Sequence, residues 1–147
     1  MKNYLLAALL CLCTLAAFAQ KEPIEKTWFN EEKTAKIEVY KAVDGKLYGK
    51  LVWMQDATDA NGKPRTDSKN PNESLRNTPL MNYPILKGFT KGKTEGVYEG
   101  GTVYDPKTGK TYCGKLTLQA GGNELKLKGY ICSFSMLGRT SVWTVAP

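Results

Sequence analysis

Apolar and polar residues alternate with a period of two through most of this chain, the spacing that sends successive side chains to opposite faces of a β-strand. Thr34 to Val43 sets Ile37 and Val39 on one face and Glu38 and Tyr40 on the other. Lys46 to Met54 aligns Leu47, Gly49, Leu51 and Trp53. Thr27 to Phe29, Glu95 to Tyr104, Thr111 to Gln119, Asn123 to Phe134 and Arg139 to Val145 complete a set of seven predicted strands. Turn signals separate them. Asp44-Gly45 suits a hairpin, Asp105-Pro106-Lys107-Thr108-Gly109 joins an acidic starter, a preset proline and a glycine for positive φ, and Gly121-Gly122-Asn123 marks another reversal. Gly100-Gly101 falls inside a strand and predicts a bulge or a close backbone approach. No segment carries a long helical period. Short antiparallel strands at regular spacing predict an all-β sandwich or barrel, and a sheet this small protects its edges best by closing.

One stretch breaks the rhythm. Gln55 to Tyr83 is long and polar, with Asn61-Gly62, Lys63-Pro64, Asn70-Pro71 and Thr78-Pro79. Loops of this length tend to be lids, binding loops or disordered segments. Glu73 to Asn77 suits a single helical turn capped by Asn72. Leu80, Met81, Ile85 and Leu86 follow and suit a loop tucked against a barrel mouth.

The first 19 of the 147 residues read as a cleavable secretory leader: Lys2, an apolar run from Tyr4 to Ala16, then Ala17-Phe18-Ala19 before Gln20. The run is too short for a comfortable membrane span. Residues 20–147 then form one exported domain, periplasmic or secreted, that does not span a membrane. The net charge is +7 over the chain and +6 once Lys2 leaves with the leader. The lysines are spread rather than clustered, which reads as a solvated surface and not as a nucleic-acid site. Cys113 and Cys132 remain in the domain, and an oxidising compartment favours their closure. Pairing Leu118 with Leu127 across adjacent strands places Cys113 opposite Cys132, on the face away from the leucines. Cys-x-x-Cys spacing is absent, so the pair reads as a structural staple.

The chain has no histidine, which removes Ser-His-Asp and Cys-His nucleophile systems and histidine zinc sites. No metal or cofactor is expected. Asp59-Ala60-Asn61-Gly62 is too short for a calcium loop of the EF-hand type. Carboxylate chemistry stays formally open through residues such as Asp67 and Glu99, but no catalytic motif is present. Three arginines occur, at 65, 76 and 139. Arginine near a barrel end suits bidentate recognition of a ligand carboxylate, or equally a structural cap. Trp28, Trp53 and Trp143 suit core, or the wall of a small-ligand site.

Thr27-Trp28, the run Gly45 to Trp53, the loop residues Asp67, Asn70-Pro71 and Leu75-Arg76-Asn77, and above all Glu99-Gly100-Gly101 through Tyr104-Asp105-Pro106 to Tyr112 resemble the DUF2147 family. Gly129-Tyr130, Leu137 to Thr140 and Trp143 extend the resemblance to nearly the whole domain. Lys26 and the two cysteines depart from its pattern. The resemblance implies a single up-and-down antiparallel barrel of the lipocalin (calycin) kind and no established reaction. By analogy it favours a non-enzymatic protein holding a small amphipathic or lipid-like ligand. On that reading Trp28, Trp53, Tyr104 and Trp143 form apolar wall or floor. Arg76, Asn77 and Arg139 orient a polar head, Asp67 and Asn70 belong to the loop signature, and the 55–83 loop gates access. The alternatives are an envelope interaction module with a filled barrel, contacting protein or polysaccharide through that loop, and, last, a carboxylate-based hydrolase.

Overall fold

A computed structural model describes residues 20–147; the predicted leader lies outside the described residues. Eight antiparallel strands close into a barrel in which every strand pairs with its sequence neighbour and β8 returns to β1. They are β1 (Thr27–Phe29), β2 (Ala35–Lys41), β3 (Leu47–Met54), β4 (Pro84–Lys91), β5 (Val97–Asp105), β6 (Lys110–Leu118), β7 (Glu124–Ile131) and β8 (Phe134–Val145). In the long connection a single 3₁₀ turn, Glu73–Leu75, starts where the Asn72 side chain accepts from the Ser74 amide at 3.1 Å, as the capping residue predicts. No helix among the described residues is long and apolar enough to cross a membrane.

The pattern missed one strand. β4 lies where the sequence reading has only an apolar coda to the loop. Ile85 and Leu86 are adjacent and both buried, and Gly88 sits at φ +75°, so the alternation is interrupted and no period of two is visible. Strand ends also moved. Asn123 to Phe134 is not one strand: β7 stops at Ile131, the chain reverses at Cys132-Ser133, and β8 begins at Phe134 rather than Arg139. The β6–β7 register differs by two residues from the expected one, with Leu118 opposite Leu125 and Cys113 opposite Tyr130. The turn fixes this register: Gln119 N–H donates to the Glu124 carbonyl and Gly122 N–H to that of Gln119. Cys132, just beyond the end of β7, still reaches Cys113, and the disulfide closes between Cα atoms 5.0 Å apart.

Up-and-down topology sorts the connections into two ends. The base gathers the segment before β1 and the turns at 42–46, 92–96 and 119–123; the mouth gathers the turns at 30–34, 106–109 and 132–133 and the long 55–83 loop. The base half is solid. Trp28, fully buried, donates its Nε1–H to the Ile24 carbonyl at 3.0 Å and so fastens the incoming chain beneath the barrel. Lys26 donates to the Gly122 carbonyl at 2.6 Å across the same end. Around Trp28 the interior is filled by Ile37, Val39, Leu47, Leu86, Phe89 and Leu116. The large rings fit because facing positions are glycine. A Cβ on Gly101 would lie 2.4 Å from the Phe89 ring, one on Gly114 2.6 Å from it, and one on Gly49 2.8 Å from Leu86. The bulge predicted at Gly100-Gly101 is there, with Gly100 at φ +78° and a register shift between Tyr98 and Gly101.

Tyr98 is also buried at the base, its hydroxyl donating to Glu22 Oε2 at 3.3 Å. Burial first, then the charge and hydrogen bond of Glu22, raise its pKa from 10.0 to about 12. A folded-state value above the unfolded one means that the native state holds its proton more tightly. The associated stability is complete below pH 10.0 and is lost as pH rises toward about 12. Tyr98→Phe, which cannot ionise, is expected to flatten the fall in melting temperature over that window; an unchanged slope would show that Tyr98 does not drive it.

Candidate functional site

Above the Phe89 layer the barrel is open. A cleft of about 760 Å³ enters between the long loop and the tops of β2 and β3, with Ile37, Leu51, Ile85 and Trp143 deep in it and Asp56, Arg65, Lys69 and Lys107 among its polar lining. A second, of about 530 Å³, enters between the β1–β2 turn and β8 and is lined by Glu32, Val103, Leu127, Leu137 and Arg139 among others. Both clefts are also lined by Asn30, Ile85, Asp105, Pro106 and Trp143, so they meet in the barrel interior. The result is a cup with an apolar floor and a charged rim. Its floor tryptophan is oriented, since Trp143 Nε1 donates to Ser141 Oγ at 3.0 Å.

The long loop is moored, not loose. Asp67 is fully buried within it, and both its oxygens are taken: Oδ1 accepts from the Tyr104 hydroxyl at 2.7 Å, Oδ2 from the Asn70 amide at 2.6 Å. The Asn70 amide also faces the Tyr83 hydroxyl at 3.1 Å, and the Tyr83 and Tyr104 rings lie 5.7 Å apart. Burial, reinforced by Asp67, pushes both tyrosine pKa values upward and keeps the hydroxyls protonated, Tyr104 donating to Asp67 and Tyr83 accepting from Asn70. Beside this cluster the Lys69 carbonyl presses on Gly109 of the β5–β6 turn. A Cβ there would lie 1.9 Å from that oxygen, and φ is +71°, so only glycine lets the loop lie down.

Of the residues singled out from sequence, the cup brings together Trp143, Tyr104 and Arg139. Trp28 belongs to the base, below the cup. Trp53 is displaced from the interior. A register shift between Lys36 and Ile37 pairs Lys36 with Trp53 and Ile37 with Leu51, which breaks the inward alternation after Leu51. Trp53 is 39% exposed, edge-on to Phe29 and near the Lys36 ammonium. Arg76 holds the loop together, donating Nε–H to the Asn70 carbonyl at 2.9 Å and pairing with Glu73 at 3.2 Å; neither it nor the exposed Asn77 lines either cleft. The rim cations facing the first cleft are instead Arg65, Lys69 and Lys107. Arg65 and Lys69 went unselected because no pattern in the loop shows which way it folds over the mouth, and Lys107 because it sits in the β5–β6 turn beneath that loop.

Asp56, Asp59 and Asp105 are the carboxylates that line the first cleft. The Asp67 carboxylate is sealed and fully hydrogen-bonded, so it meets no substrate. No cluster of three or more metal-ligating side chains occurs among the described residues.

The family model described as "Uncharacterized protein conserved in bacteria (DUF2147)" matches residues 26–145, from the base lysine to the end of β8. The chain belongs to the DUF2147 family. No curated protein matches this member of the family. Among solved structures it is similar to protein HP1028 from the human pathogen Helicobacter pylori, described as belonging to the lipocalin family. The identity is 23%, covering 84% of this chain and 83% of that one, with a TM-score of 0.72. At that identity the likeness shows a shared fold: DUF2147 here is a lipocalin-like, closed eight-stranded barrel.

Proposed function

We propose that this DUF2147 protein is an exported, non-enzymatic carrier or sensor that holds a small amphipathic or lipid-like molecule, apolar part down, in the upper half of the barrel. The observation that carries this reading is the division of the interior. Ring packing against Gly101 and Gly114 fills the base, while the upper half opens into a cleft of about 760 Å³ over apolar side chains. That volume lies in the range of sites that enclose small organic ligands, roughly 300–1,000 Å³. Floor and rim differ in polarity as the two ends of an amphipath do. A lipocalin-like fold supports the reading by analogy alone. The filled-barrel alternative is disfavoured by the open upper half.

Native mass spectrometry of residues 20–147, purified without detergent, tests the proposal together with uptake of an aliphatic fluorescent dye. A lipid-sized adduct lost on denaturation, or dye uptake that Ile85→Trp abolishes by blocking the place where the clefts meet, is the expected result. A bare mass with no uptake of dye or fatty acid overturns it.

A further inference from the structure

The barrel has a seam. β8 runs from Phe134 to Val145, but β1 is only three residues long and pairs with β8 at Thr144 and Val145 alone. Between Phe134 and Trp143 the β1-facing edge of β8 meets no other described strand, while its opposite edge pairs with β7 at Phe134 and from Gly138 to Thr144. The projecting β7–β8 hairpin is exposed at every position from Ile131 to Thr140. It carries a concentrated apolar group: Met136 is 93% exposed, Leu137 64%, Phe134 62% and Ile131 54%. The disulfide from Cys132 to β6 ties down the hairpin at its tip.

Exposed strand edges are ordinarily blunted by lysine, proline or an inward charge. The segment Phe134 to Val142 has neither lysine nor proline, and one charge, Arg139. We infer that this edge is an interface for a second copy of the same chain, the two β8 strands pairing antiparallel about a two-fold axis. Unpaired backbone and apolar side chains here call for the same partner. A lipid surface would cover the side chains but leave the backbone donors and acceptors without partners; another β8 satisfies both. Antiparallel pairing of one edge with itself is what a closed two-fold dimer requires. Fully covered, the four apolar residues contribute about 500 Å² per protomer and about 1,000 Å² for the pair, the threshold of a specific interface. Charge is complementary as well. Arg139 pairs loosely with Glu31 of its own chain, at 3.8 Å on an 82% exposed side chain, a contact that two-fold association would exchange for Glu31 or Glu32 of the second copy across the seam. Because Leu137, Arg139 and Ser141 also line the second cleft, the partner's hairpin would wall the open side of the cup.

Sedimentation equilibrium of residues 20–147 with the disulfide intact, alongside amide exchange at low and high protein concentration, tests this. The expected result is a micromolar dimer, slowed exchange across 134–142 in the dimer, and at least about a hundredfold weaker association in Phe134→Lys/Met136→Lys. Both substitutions fall at exposed positions, and an unchanged melting curve verifies the fold. A chain that stays monomeric at high concentration overturns the inference, as does a dimer indifferent to the double substitution. Monomers that sediment with anionic phospholipid vesicles would assign the hairpin to a membrane surface instead. Dye uptake measured on the same samples reads the cup independently, so failure of the dimer and failure of ligand binding are separable.

Discussion

Phe89→Ala is expected to destabilise the barrel by roughly 3–5 kcal/mol, the cost of emptying a large buried ring site that cannot collapse. It cannot collapse because the residues facing the ring are Gly101 and Gly114, which have no side chains to move into the space. The substitution should therefore do two things together. It should lower the denaturation midpoint and extend the cup toward the base, so that the variant, if still folded, accepts a longer apolar chain than the parent. Chemical denaturation reads the first effect. Comparing dyes of graded tail length by native mass spectrometry reads the second. A cost below about 1 kcal/mol would show that the interior repacks freely, and the solid base would then not be the feature that limits cup depth.

Asp67→Ala carries the next largest expectation. It removes the acceptor shared by the Tyr104 hydroxyl and the Asn70 amide, leaving buried donors without partners at about 1–3 kcal/mol each, not strictly additive. A total loss of roughly 2–4 kcal/mol is expected, concentrated in the loop. Amides of residues 66–70 should lose exchange protection before those of the strands. Tyr104→Phe alone, which keeps the ring and leaves the carboxylate short of one donor, should cost less. If Asp67→Ala melts like the parent and the loop stays protected, the mooring lies elsewhere, the Lys69–Gly109 contact being the next place to look.

The legible part of this fold is the part with strict alternation. Ile37 and Val39 on β2, and Leu47 and Leu51 on β3, are buried as their spacing predicts. So are the compositional expectations: two cysteines in one domain close, and Asn72 caps a helical turn. What escaped prediction shares one cause. A bulge adds or skips a residue without leaving a mark in composition, and from there every inward assignment flips. Trp53 lies one such shift beyond Leu51, and β4 is split by Gly88. For the site, Asp67 and Asn70 stand out in the loop, and Arg139 and Trp143 in the last strand. Their roles depend on contacts between residues distant in the chain, such as Asp67 and Tyr104, 37 residues apart, which no local pattern encodes. Arg65 and Lys69 face the cup only because the loop lies down on Gly109, beside Lys107 of the β5–β6 turn.

A moored loop also bears on timing. With Asp67, Asn70, Tyr83 and Tyr104 already locked together, the mouth stands built before anything arrives, and capture awaits no closing motion of a lid. On the proposed function, the speed of loading then belongs to the cargo. An amphipath that spends most of its time in aggregates or bilayers fills such a vessel only as fast as single molecules break away, so supply rather than protein motion becomes the clock.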